Sequence, residues 1–243
     1  MSSKIILISG PTASGKSDLA IKIAKKFNGE IINADSMQVY NNLKILTNIP
    51  EDNILKNNYC KLFASVSAPS ISDLGWWIKS VIREIRIAKL KNLVPLIVGG
   101  TGLYLNGLEN QISYIPKVKL KVRHKINKIH EEKGNKFFYN KLQSFDPYFS
   151  KKVNPNDTQR ILRAIEVKVS TGKTLSYWHK QKKKKNKDSN HIFLVIRKDR
   201  KSLYNLIDER FIKMIERGAI EEVKLFLEKK IDLNHPLYKA IGL

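Results

Sequence analysis

The chain has 243 residues, an apolar content of 42% and one cysteine, Cys60, so it can build a sizeable core but excludes a disulfide framework. No apolar run is long enough for a signal peptide or a membrane span, and we expect a cytoplasmic protein without membrane contact. The net charge of +23, from 45 Lys and Arg against 22 Asp and Glu, favours a polyanionic partner such as nucleic acid.

The first predicted elements surround a phosphate-binding pattern. The run KIILIS, residues 4–9, is typical of a buried strand, and the helical spacing that follows ends near Asn28. Between them lies the pattern G-x-x-x-x-G-K-[ST], whose glycines let the backbone turn tightly and point N–H groups at an anion. We predict that this phosphate loop binds its ligand through eight residues: Gly10, Pro11, Thr12, Ala13, Ser14, Gly15, Lys16 and Ser17. The pattern alone leaves ATP, GTP and other diphosphates open as ligands.

Three further strands are predicted before residue 101. They are EIINAD at 30–35, KLFASVS at 61–67 and VPLIVGG at 94–100. Asp73 is placed to cap a long helix that continues to about Leu90. Because strands alternate with helices, the sequence predicts a parallel α/β sheet.

The pattern changes to helices after about Ser113. Residues 117–181 predict several helices without a strand, and a polar, charged loop follows at 180–190. From His191 the run HIFLVIRK restores a strand, and two helices follow. The sequence thus predicts an α/β fold in which a helical insertion domain interrupts a core with a P-loop NTPase-like parallel sheet. The core is predicted to take residues 1–113 and 191–243, and the insertion is predicted to take residues 114–190.

Two segments are expected beside the phosphate loop, because ligands of parallel sheets bind at the carboxyl ends of the strands. Asp35 ends the second predicted strand and could be a general base, a metal ligand or a ribose contact; an Asx-type turn or a helix cap is the alternative. The Gly-rich turn at 99–102 ends the fourth strand, and there Thr101 could offer a hydroxyl to a ligand or simply cap a helix. Many nucleotide hydrolases end such a strand in a metal-binding acid, so this turn disfavours an ATPase or GTPase.

Three arginines are the remaining candidates. Arg160 and Arg163 lie three residues apart on one predicted helix and share a face, which is either functional or a solvated basic surface. Arg210 falls on the apolar stripe of a later helix, where a guanidinium needs an anion. That anion is either a buried carboxylate or a bound phosphate. The five histidines show no metal-ligand spacing.

The segments that carry these candidates resemble the tRNA dimethylallyltransferases, also called tRNA isopentenyltransferases. The resembling segments follow the family order and extend over most of the chain: GPTASGKS (10–17), NADSMQVY (33–40), LIVGGTGLYL (96–105), NPNDTQRILRAIEVKVSTGKTLS (154–176), RFIKMIERGAIEEV (210–223) and KAIG (239–242). The sequence departs from the commonest family pattern at KILTNIPE and at YCKLFASVSAP, which both resemble a subgroup variant. Family members continue with further basic helices, and we expect those helices to be absent from this chain.

The resemblance implies a reaction and its participants. The exocyclic amine of the adenosine on the 3′ side of the tRNA anticodon attacks dimethylallyl diphosphate, and diphosphate leaves. Asp35 would be the base, Thr101 would orient the amine, and Ser17 would contact Mg²⁺. Lys16, Arg160 and Arg210 would support the diphosphate or the adjacent anions.

The resemblance also implies which residues contact the tRNA anticodon stem-loop, and the adenosine must leave its stack to react. These residues are Asp35, Ser36, Met37, Gln38, Thr101, Arg123, Gln159, Arg160, Ile161, Leu162 and Arg163. We expect a monomer.

Four alternatives remain from the sequence. A prenyltransferase that acts on free adenosine phosphates would also fit the core, but it needs no basic insertion. A P-loop kinase for a small molecule or a nucleotide would explain the loop and the sheet, but not the basic insertion. A truncated relative could bind tRNA with little turnover. An AT-rich genome could enrich Lys without a functional cause, although it does not explain the few acidic residues.

Overall fold

The computed structural model describes residues 4–57, 59–100, 102–110, 115–116, 118–181 and 191–243. These residues form two compact units, of which the first takes the chain up to residue 109 and from 186 onward, and the second takes residues 110–185. The prediction for Thr101 and most of the predicted loop at 180–190 lie outside the described residues. No helix among the described residues is long and apolar enough to cross a membrane.

A five-stranded parallel sheet forms the centre of the first unit. Its strands are β1 (Ile5–Ser9), β2 (Gly29–Asn33), β3 (Cys60–Lys61), β4 (Val94–Gly99) and β5 (His191–Val195). They lie in the order β3-β2-β4-β1-β5, and every pair is parallel. The predicted parallel sheet is therefore confirmed. Strand β1, which leads into the phosphate loop, lies between β4 and β5 and away from both edges of the sheet.

Six α-helices and a short 3₁₀ helix accompany this sheet in the described part of the first unit. They are α1 (Lys16–Phe27), α2 (Asp52–Asn57), α3 (Leu74–Leu90), α4 (Gly102–Asn110), α9 (Arg200–Glu216), α10 (Ala219–Leu227) and the 3₁₀ helix (Pro236–Lys239); α5 to α8 belong to the second unit. The carboxylate of Asp73 accepts a hydrogen bond from Trp76 N and caps α3, as the sequence predicts. Asn28 adopts a left-handed conformation and ends α1 at the predicted place.

The third strand is much shorter than predicted. Strand β3 ends at Lys61, because Leu62 and Ala64 adopt positive φ values of 62° and 46° that no extended strand contains. The chain then crosses to the segment after β2, where Ala64 N and Ser65 N donate to Gln38 O and Val39 O. The prediction of a strand over 61–67 is thus wrong beyond its first residue.

Strands β2 and β5 also end earlier than predicted, whereas β1 ends at Ser9 as the sequence predicts. EIINAD was expected to remain extended to residue 35, but β2 ends at Asn33 and only Ala34 N still bonds to Val98 O of β4. Likewise, β5 ends at Val195 rather than at Lys198.

Helices are the only regular elements among the described residues of the second unit, as the sequence predicts. It contains α5 (Leu120–Phe145), α6 (Pro147–Ser150), α7 (Thr158–Thr171) and α8 (Leu175–Lys180). Gly134 has non-helical φ and ψ values of 72° and 175°, so α5 is kinked there. The facing sides of α5 and α7 build a separate apolar core that includes Phe138, Leu142 and Ile161.

Candidate active site

The phosphate loop connects β1 to α1 and leaves the first turn of α1 open. Gly15 has a φ of 90°, and the first turn of α1 has no side-chain cap. Its N–H groups are therefore available to an anion, which the helix dipole also attracts. Gly10 is required on steric grounds, because a Cβ there would lie 2.9 Å from Ile196 O and Ser14 Oγ. The buried Ser14 Oγ finds no hydrogen-bond partner among the described residues.

Lys16 folds back over this loop. Its Nζ donates to Pro11 O at 2.6 Å. Burial lowers the pKa of Lys16, the nearby Asp35 carboxylate raises it, and the Arg210 guanidinium lowers it further. The positive charges of Lys16 and Arg210 therefore repel each other, and an anion bound between them would stabilise both charged forms.

Arg210 lies on α9 and reaches the phosphate loop. Its Nη2 donates to Thr12 Oγ1 at 2.7 Å. No carboxylate in the described part of the chain lies within ion-pair distance of it. Burial lowers the pKa of Arg210 and the more distant Asp35 raises it. The sequence left a buried carboxylate and a bound phosphate open as partners of Arg210, and the described residues provide no such carboxylate.

Asp35 follows the carboxyl end of β2 and closes an Asx turn. Its Oδ1 accepts hydrogen bonds from Met37 N at 2.9 Å and Gln38 N at 3.4 Å. Its charge also acts on Lys16 and Arg210. The turn that the sequence offered as an alternative is therefore present, and it holds the carboxylate near the cations of the phosphate loop.

The neighbouring strand end requires glycine. A Cβ on Gly99 would lie 2.2 Å from Ala34 O, so only glycine lets β4 and β2 approach this closely. Beyond the turn, Tyr104 is buried and stacks on Trp77 with ring centroids 4.4 Å apart. Burial raises the pKa of Tyr104, and Asp35 is among the charges that raise it further.

The residues that follow Asp35 are half-buried, and one of them supports a loop. Gln38 Nε2 donates to Thr47 O at 3.0 Å and to Asn48 O at 2.8 Å. Met37 packs against the apolar core. Glu222 on α10 holds the two preceding residues of the same loop, because its carboxylate accepts from Ile45 N and Leu46 N at 2.9–3.0 Å. The sequence analysis missed Glu222, although it lies in the resembling segment 210–223.

In the second unit, a buried carboxylate joins two of the predicted arginines. Glu166 accepts from Arg123 Nε at 3.2 Å, and Arg163 Nη1 lies 3.5 Å from its other oxygen. Glu166 was also missed, although its position three residues after Arg163 on the same helix is a recognisable signal. Each guanidinium remains more than a third exposed.

The other predicted residues of α7 differ in exposure. Arg160 is exposed and its Nε lies 3.3 Å from Asp157 Oδ2, while Gln159 is also exposed and Leu162 is half-buried. Ile161, in contrast, is fully buried in the core of this unit. The expected tRNA contact of Ile161 is therefore corrected, because its side chain packs between helices and is not accessible.

Lysine side chains cover several aromatic rings on this unit. Lys152 Nζ lies 4.1 Å from the ring centroid of Tyr148 and donates to its hydroxyl. Lys141 lies 4.7 Å from Phe137, and Lys173 lies 5.2 Å from Tyr177. Residues 110–185 contain 20 Lys or Arg and 5 Asp or Glu, so they carry +15 of the net charge of +23.

A protein-only metal site is not found in the described residues, which contain no group of three or more His, Cys, Asp and Glu that could hold a metal ion. Ser17 is exposed in the first turn of α1, directly after Lys16. A metal at this position would thus depend on oxygen ligands from a bound phosphate compound.

Comparison with known sequences identifies one family. The chain matches the family model described as IPP transferase over residues 38–243, and the model described as isopentenyl transferase over residues 3–60. It is 45% identical to the tRNA dimethylallyltransferase of Pelagibacter ubique (strain HTCC1062), over 99% of this chain and 77% of that protein. The tRNA dimethylallyltransferase of Rickettsia felis is 36% identical, over 98% of this chain and 78% of that protein.

Solved structures give the same result. A eukaryotic dimethylallyltransferase acting on tRNA superposes with a TM-score of 0.83 and 31% identity, over 100% of this chain and 62% of that one. The tRNA isopentenylpyrophosphate transferase from Staphylococcus epidermidis superposes with a TM-score of 0.63 and 30% identity, over 99% of this chain and 78% of that one. The predicted fold, a P-loop NTPase-like parallel sheet with helices, is confirmed by these matches and by the five parallel strands. The chain therefore belongs to the IPP transferase family, which includes the tRNA dimethylallyltransferases.

Proposed function

We propose that this protein transfers a dimethylallyl group from dimethylallyl diphosphate to the exocyclic amine of the adenosine on the 3′ side of a tRNA anticodon. The observation that carries the proposal is the charge arrangement at the phosphate loop. Lys16 and Arg210 hydrogen-bond to the adjacent loop residues Pro11 and Thr12, and Asp35 acts electrostatically on both cations. This arrangement suits a reaction that releases diphosphate and removes a proton.

The chemical step balances with these groups. The amine nitrogen attacks C1 of the donor, the C1–O bond breaks, and its electron pair leaves with the diphosphate. The N–H groups of the phosphate loop, Lys16 and Arg210 stabilise the charge that develops on the leaving group. The proton of the amine passes to Asp35, whose turn uses Oδ1 and leaves Oδ2 as the acceptor.

Ser17 is the residue that would hold Mg²⁺. Its hydroxyl is a hard oxygen ligand, and Mg²⁺ keeps several waters and binds readily to substrate phosphates, so a single protein ligand suffices. The exposed position of Ser17 at the start of α1 fits this role. When bound, the ion would neutralise charge on the diphosphate.

The second unit supplies the basic surface for the anticodon stem-loop in this proposal. Its exposed Arg160 and Gln159 and the partly exposed Arg123 and Arg163 are suited to phosphate contacts. In the first unit, residues 35–38 would contact the reacting nucleotide, which must leave its stack. Thr101 would orient the amine, and Arg160 would also support the anions.

A P-loop kinase is the less favoured candidate. Strand β4 ends in glycine rather than in an acidic residue, and a small substrate gives no reason for the charge of +15 on residues 110–185. A cytoplasmic location fits the single cysteine of the chain, Cys60, which excludes a disulfide framework. Every residue in the proposed reaction belongs to one chain, so a monomer is sufficient.

The test uses labelled dimethylallyl diphosphate with unmodified tRNA, with free AMP as a second acceptor and with ATP hydrolysis as a control. We expect label in tRNA at one adenosine, equimolar diphosphate, and neither labelled AMP nor ATP hydrolysis. Tight tRNA binding without label transfer would support the truncated tRNA-binding relative instead. Phosphate transfer from ATP would support a kinase.

A further inference from the structure

We infer that Asn33 is a positioning residue for Asp35 and so for proton removal in the proposed reaction, on which this inference rests. Asn33 is the last residue of β2 and is fully buried. Buried asparagines are uncommon unless their amides are fully hydrogen-bonded, and the sequence analysis assigned this residue no role.

The side-chain amide of Asn33 forms hydrogen bonds with both the backbone N–H and the backbone C=O of Asp35. Its Oδ1 accepts from Asp35 N at 2.9 Å, and its Nδ2 donates to Asp35 O at 3.0 Å. The second proton of Nδ2 goes to Leu62 O at 3.1 Å. Both donors and the acceptor are thus used, and neither aspartate nor leucine could supply the same set.

These hydrogen bonds lie just beyond the point where the backbone pairing between β2 and β4 ends. The last bond between this segment and β4 is Ala34 N to Val98 O at 2.8 Å, and β4 itself ends at Gly99. Asp35 therefore has no strand partner, and the side chain of Asn33 takes the place of one. The left-handed conformation of Leu62 directs its carbonyl to the same amide.

Asn33 is itself held from α3. The indole Nε1 of Trp77 donates to Asn33 O at 2.8 Å, and Trp77 is fully buried and stacked on Tyr104. The backbone of Asp35 is in this way linked through one amide to the core of the first unit. The Asx turn then fixes the carboxylate relative to this backbone.

A loss of this link would displace the carboxylate without removing it. A shift of about 1 Å at a reacting group can slow a reaction about 10²-fold. The substrates would still bind, because the hydrogen bonds of the Asn33 side chain go to Asp35 and Leu62 and not to the residues of the phosphate loop. Its removal is therefore expected to lower the rate constant of the chemical step and to leave the substrate affinities unchanged.

The experiment compares Asn33→Ser with Val81→Ala in single turnovers with enzyme in excess and saturating substrates. Val81 is a fully buried core residue of α3 without a bond to Asp35, so its truncation controls for lost stability. Because tRNA is the limiting reactant, partial unfolding only reduces the concentration of active enzyme, and a higher enzyme concentration restores the rate. A displaced base lowers the limiting rate constant at every enzyme concentration. We expect Asn33→Ser to lower the rate constant about 10²-fold with the tRNA Kd within about threefold, and Val81→Ala to retain the wild-type rate constant.

Two further variants keep the inference testable if Asn33→Ser does not fold. Trp77→Phe removes the donor to Asn33 O together with part of the buried indole, leaves the bonds from the Asn33 side chain to Asp35 in place, and should lower the rate constant to a smaller extent. Asn33→Asp keeps the size of the side chain but removes both N–H donors, to Asp35 O and to Leu62 O, so its rate constant should also fall well below that of wild type. A wild-type rate constant in the folded Asn33 variants, or in Trp77→Phe, would overturn the inference. A wild-type protein that transfers no prenyl group would overturn the proposed function and this inference with it.

Discussion

The phosphate-loop edge of the first unit and the face formed by α5 and α7 of the second unit fix their charged groups in different ways. At the phosphate loop, Lys16, Arg210 and Asp35 hydrogen-bond to loop atoms, mostly of the backbone, so a turn sets their positions. On α5 and α7, the arginines are held by Glu166 and Asp157 and remain partly exposed. The first arrangement suits chemistry that needs precise positions, and the second suits electrostatic binding of a large anion. Variants of the two regions should therefore separate turnover from tRNA affinity.

The largest effect is expected for Asp35→Asn. The amide side chain can still close the turn but cannot accept the proton, so the single-turnover rate constant should fall by about 10²–10⁴-fold. The tRNA Kd should change only a few-fold, because the charge lost is one carboxylate. A decrease of less than threefold would show that Asp35 only positions the substrate.

A slightly smaller effect is expected for Lys16→Ala. Removing one group that stabilises developing charge costs about 10²–10³-fold in turnover. The matched control is Lys22→Ala, which removes an exposed lysine from the same helix. Equal activities for the two variants in the label-transfer assay would exclude the proposed role of the phosphate loop.

The second unit should give the opposite result. Substitution of Arg123, Arg160 and Arg163 by Gln should weaken tRNA binding and reduce the salt dependence of the affinity by about 0.7–0.9 in the log–log slope for each lost phosphate contact. Arg83→Gln is the control, since Arg83 is a similarly ion-paired, exposed arginine of the first unit. Thermal melts should accompany the titrations, because this triple variant leaves Glu166 without its arginines. Identical salt slopes for wild type and the triple variant would place the RNA surface elsewhere.

Arg210→Met distinguishes a ligand role from a structural role. Since Arg210 donates to Thr12 and has no ion-paired carboxylate among the described residues, the ligand-free protein should melt close to wild type. A buried carboxylate left unpaired would instead cost about 3–5 kcal/mol. With diphosphate and Mg²⁺, the stabilisation seen in wild type should be much reduced in the variant. A large decrease in the ligand-free melting temperature with an unchanged ligand shift would contradict this role.

The smallest effect is expected on the free energy of unfolding, for a substitution of Glu30, which lies away from the candidate active site. Glu30 on β2 is buried with Oε2 unpartnered among the described residues, and burial raises its pKa above the ordinary value. The folded state therefore holds this proton more tightly than the unfolded state, and ionisation destabilises the fold as the pH rises. Glu30→Gln should increase the free energy of unfolding at about pH 7.5, and the gain should shrink toward about pH 4.5. A gain that does not depend on pH would contradict this cause.

Much of the first unit could be predicted from sequence because its signals are local. Residues 10–17 specify a backbone turn, and strand–helix alternation specifies the parallel sheet. The end of β3 could not be predicted, because Leu62 adopts its left-handed conformation next to Asn33, a residue 29 positions earlier in the chain. The loop support by Glu222 depends in the same way on a contact across 177 positions.

The sequence could predict which arginines of the second unit are candidates for function, but it could not predict which acidic residues they pair with. Their spacing placed Arg160 and Arg163 on one helix, yet the ion pair of Arg123 with Glu166 joins α5 to α7 and needs the packed fold. Ile161 was assigned by its position in a motif, and its burial follows from the core between those helices. Resemblance identified the segments correctly, while packing decides which side chains of a segment are accessible.

The most direct test asks whether the phosphate-loop edge serves catalysis and the α5–α7 face serves tRNA binding. It measures two quantities on the same preparations: the single-turnover rate constant at saturating substrates and the tRNA Kd. We predict a crossed pattern, in which Asp35→Asn loses about 10²–10⁴-fold in rate constant with nearly unchanged Kd, and the Arg123→Gln, Arg163→Gln double variant loses mainly affinity. Parallel losses of both quantities in both variants would contradict it.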